Sequence, residues 1–274
     1  MTVIAMTQEM GSLGKDVALQ TAEALGLTVV RDEMISDIVA GKMKKRKSAI
    51  RRFKEGNASL RERLGVSRKS LAVYSATEVY EYAAKGDVLI RGWGATYLLQ
   101  GIPHVLRVRV CAPFERRVQW LMERLDTDNE TFAQEEIHRS DAARSANIRQ
   151  WFLETWGNPL DYDLVLNTGH VSIESCVELI KLMVRRPEFQ QTEESQCQLI
   201  NLALESKVRL ALRSNPATEN VRISIEADNC KVVLSGIVVD ENESRACEST
   251  LTKVPGVSEV DNQLTTITGV KTFR

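Results

Sequence analysis

A glycine turn, Met10-Gly-Ser-Leu-Gly-Lys-Asp16, is the stretch of this 274-residue chain whose residue types and spacing can do chemistry. An apolar run, Thr2-Val-Ile-Ala-Met-Thr7, leads into it, and a helical pattern, Val17 to Leu25, leads out. Gly11 and Gly14 let the backbone turn N–H groups toward an anion, the helix N-terminus adds partial positive charge, and Lys15 can reach terminal phosphates. Against the pattern G-x-x-x-x-G-K-[ST], Gly14 and Lys15 fit, but Glu9 stands at the first glycine and Asp16 replaces the hydroxyl that normally holds magnesium. The expected nucleotide contacts are therefore Gly11, Ser12, Gly14, Lys15 and Asp16. Two like charges about 4 Å apart repel by ~1 kcal/mol in water and by ~4 kcal/mol at an effective dielectric of 20. A carboxylate beside a triphosphate thus needs metal or lysine between. Asp16 can itself ligate Mg2+, directly or through water, because hard oxygen ligands suit that ion; the other reading is a loop that binds nucleotide weakly and does not catalyse.

The elements that must position this loop follow from periodicity. Over the first 185 residues short β-rich runs, Val3–Met6, Leu27–Val30, Val88–Ile90, Val105–Val110 and Leu164–Leu166, alternate with amphipathic helical ones. Each run is continuous rather than alternating, as in strands covered by helices on both faces, and the pattern predicts an α/β domain with a parallel sheet. Helices are expected at about 15–25, 33–54, 70–85, 94–100, 113–125, 130–153 and 172–184, the last with Ser172 as its cap. The polar stretch 188–196 reads as a linker. Beyond it the sequence predicts a small α+β unit: a helix at 199–212, strands at 221–227 and 231–238, a helix at 241–253 and a last strand led by 256–264. The expected domains are 1–187 and 197–274, the second folding independently with no phosphate loop or acid–base pair of its own.

Composition narrows the function classes. The net charge of −1 argues against a whole-protein polyanion binder. The five cysteines, at 111, 176, 197, 230 and 247, form no C-x-x-C pair and read as reduced thiols, so a cytoplasmic protein is expected. No apolar run approaches a membrane span, and the N-terminus lacks a basic export region. His104, His138 and His170 lack metal-site spacing and read as structural or surface residues. Near neutrality conceals one basic segment, 42–69, with twelve basic residues against Glu55 and Glu62. Three readings stay open for it: an acceptor-phosphate site, a nucleic-acid or anionic-membrane patch, or a solvated helix face. Only Phe53 interleaves as an aromatic, which disfavours a base-stacking nucleic-acid surface.

Two resemblances join these readings. The first 185 residues resemble the cytidylate kinase-like family, relatives of nucleoside monophosphate kinases with a P-loop kinase-type parallel sheet. The motifs are GSLGKD, LGLTVVRDEMI, VLIRGWGATYLL, RVRVCAPFERRV followed by HRSDAAR, and YDLVLNT, in that order. The C-terminal residues resemble a BON domain, an αββαβ module, through IEADNCKVVLSGIV and KVPGVSEVDNQL. The first resemblance implies ATP and Mg2+ as cofactors and transfer of the γ-phosphate to a nucleotide or another small acceptor. It implies Lys15, Arg139, Asp141 and Arg144 as catalytic, the last three on a closing lid, and Asp32, Arg91, Gly92, Arg116 and Arg117 as substrate-binding. Solvated faces and ion pairs are the other reading of these arginines, and a helix N-cap is the other reading of Asp32. Trp93 stands where cytidylate kinases carry an arginine; it stacks on a base or packs internally. A function from a different class stays open as well: a nucleotide-sensing regulatory or assembly protein whose BON module binds a protein partner, an ion or a membrane. The sequence also leaves a homo-oligomer open.

Overall fold

The computed structural model describes residues 1–54, 67–92 and 94–267. Glu55, Arg61, Glu62, Arg63 and Trp93, which enter the readings above, lie outside the described residues. The chain divides into two compact units, one formed by 1–67 and 85–192, the other by 68–84 and 193–274.

The first unit is built on five parallel strands, β1 (Val3–Gln8), β2 (Thr28–Arg31), β3 (Val88–Arg91), β4 (Val105–Cys111) and β5 (Leu164–Asn167), in the order β2-β3-β1-β4-β5. Val3 to Met6 are at most 1% exposed, which is why the run carries no polar alternation: helices cover both faces. The loop after β1 opens at the carboxyl edge between β3 and β4, the crevice in which open α/β sheets hold ligands. Helix α1 (Gly14–Leu25) follows that loop and ends on Gly26 in the left-handed conformation. Ile4, Leu89, Leu106, Val108 and Val110 form one core with Val17 and Ala18 of α1 and with Cys176 and Ile180 of a later helix at Ile173–Val184.

The helix expected over 33–54 is two helices, α2 (Asp32–Lys42) and α3 (Lys47–Lys54). The break falls on the basic run, where Lys44 takes φ 53°. Separating the helices lets Lys47 and Arg51 reach Asp37 of α2 at 3.0 and 2.7 Å, and those two cations hold the Asp37 carboxyl below its usual value. Among the described residues the remaining α-helices of this unit are α5 (Ala95–Leu98), α6 (Phe114–Leu125), α7 (Glu130–Phe152), capped by the Asn129 side chain, and α8 (Ile173–Val184), capped by Ser172.

The second unit contains α9 (Glu193–Ser214), β6 (Ser224–Asp228), β7 (Lys231–Val238), α10 (Glu241–Leu251) and β8 (Glu259–Thr266). β6 pairs antiparallel and β8 parallel with β7. Val232, Leu234, Ile225 and Val238 turn inward, the first three onto Leu204, Val208, Leu212, Cys247 and Leu251. Helix α9 begins at Glu193, inside the polar stretch read as a linker. This unit also takes in helix α4 (Arg68–Lys85) up to Ala84. The Thr77 and Ser206 hydroxyls meet at 2.8 Å, those of Tyr74 and Ser214 at 3.0 Å, and Lys207 approaches Glu81 at 3.5 Å. No helix among the described residues is long and apolar enough to cross a membrane.

The cysteines differ sharply in surroundings. Cys176 and Cys247 are fully buried, Cys111 and Cys197 partly so, and Cys230 is exposed. Burial, with Glu243 nearby, pushes the Cys247 thiol up to about 11, so at pH 8 only about one molecule in a thousand carries the reactive thiolate. Alkylation of the native protein at pH 8, followed by peptide mass mapping, should therefore modify Cys230 and spare Cys247 and Cys176 until denaturant is added. Labelling of Cys247 at the rate of Cys230 would contradict this packing.

Candidate functional site

The loop is shaped by close backbone approaches that only glycine allows. Gly11 has φ 80°, and a Cβ there would stand 3.0 Å from the Cα and carbonyl oxygen of Arg117. A Cβ on Gly14 would stand 2.6 Å from the Gln8 Cβ. Leu13, the residue before α1, is left-handed at φ 56°, with no side chain capping the helix. The Ser12 hydroxyl donates inward, to the carbonyls of Glu9 (2.9 Å) and Val110 (3.2 Å), and Thr168 donates to the Ser12 carbonyl at 2.7 Å. Among the described residues the N–H groups of Gly14 and Lys15 have no partner. They open the positive end of α1 toward solvent, where Lys15 is exposed and Asp16 half-buried.

Glu9 turns away from that opening. Its carboxylate accepts from Arg109 Nη2 at 2.6 Å and from the Ala112 N–H at 3.2 Å, and pairs with Arg117 Nη1 at 3.2 Å. Counter-charge for this carboxylate thus comes from two arginines, not from the metal or lysine that its position in the sequence suggested. Charge-assisted hydrogen bonds of this kind are shorter and stronger than neutral ones, an attraction that the desolvation of the buried charges offsets. Arg117, on α6, has a side chain only 4% exposed and also reaches Asp141 of α7, Nη2 to Oδ2 at 2.5 Å and Nη1 to Oδ1 at 3.3 Å. Burial raises the Asp141 carboxyl above its usual value, more than Arg117 lowers it.

A cavity of about 440 Å³ opens beside the loop, lined by the ends of β1 and β3, the start of α2, the short α5 and one face of α7. Of the residues singled out from the sequence it gathers Asp32, Arg91, Gly92, Arg139 and Arg144. Helix α2 starts at Asp32 with Arg31 in the cap position, so Asp32 is not the N-cap, and its Cβ lies 3.0 Å from where a Gly92 Cβ would be. Arg91 is 4.0 Å from Glu33, and Arg139 pairs with Glu136 on its own helix. Arg144 makes no hydrogen bond or ion pair among the described residues. Burial lowers the basicity of its guanidinium, against the pull of Asp32 and Asp141, and Arg91 and Arg109 lower it further. The cavity does not include Gly11, Ser12, Gly14, Lys15, Asp16, Arg116, Arg117 or Asp141. Arg116 is exposed on α6, and no described residue of the basic run 42–54 lines the cavity.

Gln8 belongs to both places: it lines the cavity, abuts Gly14, and its buried Oε1 has no partner. The sequence reading missed Gln8, Arg109 and Trp156. Arg109 stacks over Trp156, 4.6 Å from the ring centroid, and Arg144 lies 6.0 Å from the same ring. For Arg109 the available signal was the pair of arginines, Arg107 and Arg109, inside the otherwise apolar β4 run, since a charge there needs a built partner. Beneath the cavity Tyr97 stacks on Phe152 at 5.2 Å and shares a 3.1 Å hydrogen bond with Tyr162. His138, also on α7, is stacked on Phe114 at 4.6 Å. Among the described residues no group of three or more His, Cys, Asp or Glu is arranged for a metal ion.

Comparison with known proteins agrees with this layout. Residues 3–170 match the model of the cytidylate kinase-like family, more than half of the chain. The chain belongs to the cytidylate kinase-like family. Residues 202–268 match a BON domain, the αββαβ part of the second unit. An uncharacterized protein from Eubacterium ventriosum is similar in structure with a TM-score of 0.54 and 17% identity, over 68% of this chain and all of that one, which shows the fold alone. Two shikimate kinases superpose more loosely. The enzyme from Bacteroides thetaiotaomicron gives a TM-score of 0.42 at 13% identity, over 68% of this chain and 99% of its own. That from Acinetobacter baumannii, in complex with shikimate, gives 0.39 at 14%, over 67% and 93%. Likenesses that loose do not bear on this chain's substrate. No curated protein matches the sequence. At the level of the family, the cytidylate kinase-like fold is one of nucleotide binding and phosphoryl transfer.

The loop geometry predicts a cost for the smallest change to it. Gly11→Ala should destabilise the protein by at least about 1–2 kcal/mol from the left-handed backbone alone, seen as a fall of about 2–4 °C in the thermal midpoint for each kcal/mol. An unchanged melting curve would show that the loop relaxes freely away from Arg117.

Proposed function

We propose that this protein transfers the γ-phosphate of ATP to a small anionic acceptor, a nucleotide or another phosphorylated or carboxylated molecule, held in the cavity beneath α7. The observation that carries this reading is Arg144, a half-buried guanidinium without an ion-pair partner among the described residues, in a cavity of about 440 Å³ that also contains Arg91. A cation drawn partly out of water is stabilised by meeting an anion, and a planar fork suits phosphate or carboxylate oxygens.

The residues present fit a nucleotide. The unpartnered N–H groups of Gly14 and Lys15 and the exposed Lys15 ammonium would hold the donor phosphates, and the half-buried Asp16 carboxylate would hold Mg2+, which needs only one or two carboxylates when phosphate oxygens and water complete its shell. Bound Mg2+–ATP supplies the transferable phosphoryl group and the cation that neutralises it. Arg91 and Arg144 would orient the acceptor's anionic group, and Asp32 would accept a hydrogen bond from the acceptor in the same cavity. Trp156, Trp151 and Tyr97 supply apolar wall that excludes water. Gln8 links the two halves, since it touches both the start of α1 and the cavity. Phosphoryl transfer asks the protein mainly for such positioning and charge neutralisation.

Two substitutions separate the halves. Lys15→Ala should weaken ATP binding at least tenfold by calorimetry. Arg144→Ala should leave ATP affinity within about threefold and lower the maximal rate of ADP production by about 10². The decisive screen is ATP consumption with nucleoside monophosphates and other small anions. If the parent protein makes no ADP with any of them, or Arg144→Ala turns over normally, the proposal fails.

A further inference from the structure

We infer that Glu9 is a positioning residue: its carboxylate, acting through Arg117 and Asp141, ties the phosphate loop to α7 and so sets where Arg144 stands. The path is continuous. Glu9 directly follows β1 and its N–H donates to Val110 at 3.1 Å, so its backbone is fixed to the sheet. Its carboxylate grips Arg117 at 3.2 Å, and the same guanidinium grips Asp141 through both terminal nitrogens. The backbone of Arg117 is also what Gly11 packs against, so one residue of α6 touches the loop twice.

Asp141 lies midway along α7, and Arg144 is three residues on, on the same helical face. Fixing Asp141 therefore fixes the rotation and axial placement of Arg144. A second link runs parallel to the first, from Glu9 to Arg109 at 2.6 Å and from Arg109 over Trp156, the ring that Arg144 also approaches. Met10 adds an apolar contact, packing on the cluster of Val118 and Leu121 of α6 with Ala133 and Ile137 of α7. Ion pairs buried to this degree specify geometry more readily than they add stability, because desolvation offsets the attraction. Glycine at position 9 would keep the loop and lose both links.

The kinetic consequence rests on the acceptor reading of Arg144, but the tether does not, and the experiment keeps the two apart. Hydrogen exchange by mass spectrometry on the full-length, ligand-free protein compares the parent with Glu9→Gln, Asp141→Asn and the double variant. The amides of 138–150 should exchange at least tenfold faster in each single variant, the double variant should be no faster than the singles, and the amides of β4 should keep their protection. Unchanged exchange in α7, or effects that multiply in the double variant, would overturn the inference. Should Glu9→Gln fail to fold, Asp141→Asn decides alone, since Asp141 is only half-buried and its loss must loosen both α7 and the 9–15 loop. Where turnover is measurable, Glu9→Gln should lower kcat tenfold or more with the KM for ATP within threefold. Equal losses in both constants would mark a merely structural lesion and overturn the positioning role. Absence of turnover in the parent would sink the phosphoryl-transfer reading, while the exchange data would still decide the tether.

Discussion

Two arginines buried in the first unit must find negative charge, and the carboxylate of Glu9 is where they find it. Arg109 and Arg117 have side chains 9% and 4% exposed, so neither can rely on water. Glu9 meets both from the end of β1, and Asp141 completes the set from α7. The four charges cancel as two pairs. Because each member sits on a different element, β1's loop, β4, α6 and α7, satisfying the charges also fixes those elements relative to one another.

That arrangement divides the carboxyl edge of the sheet by charge. On one side the N-terminus of α1 and Lys15 face solvent, and Lys15 makes no ion pair among the described residues. On the other, Arg91, Arg139 and Arg144 share the cavity with Asp32, Glu33 and Glu136. Arg91 and Arg139 are each near a carboxylate of that set, whereas Arg144 makes no ion pair among the described residues. Arg144 lies 6.0 Å from the Trp156 ring in a cavity that Trp151 and Tyr97 also line, a setting of lower dielectric than bulk water, in which charge–charge interactions are stronger. The altered phosphate loop is therefore compatible with anion binding: the unexpected carboxylate at position 9 is spent inside the protein.

The second unit follows different rules. Its three-stranded sheet buries one face on α9 and α10, and the parallel pairing of β7 with β8 needs the α10 crossover between them. The same unit includes most of α4, which in sequence lies between α3 and β3 of the kinase-like region. The paired hydroxyls of Thr77 and Ser206, both buried, show why: each needs a hydrogen-bond partner once removed from water.

Strand positions and the parallel sheet were legible in the sequence because burial on both faces leaves continuous apolar runs, as in Val3–Met6. The phosphate loop was legible because its chemistry is local: Gly11, Gly14, Lys15 and the helix start lie within a few residues. The break at Lys44 was not, since the propensity of the 33–54 stretch is helical throughout and the turn is repaid by a contact back to Asp37. Asp32, Arg91 and Arg144 were nameable by motif, yet their meeting in one cavity depends on strand order, and Arg116 shows that a basic residue in the right motif can face solvent. The role of Glu9 lay furthest from view. Its partner Arg109 is 100 residues away, and Arg117 finds Asp141 across 24. Ion pairing is non-local and leaves no periodic trace in a sequence. Only the folded sheet, by bringing β1 beside β4, decided that a carboxylate in a phosphate loop would face inward.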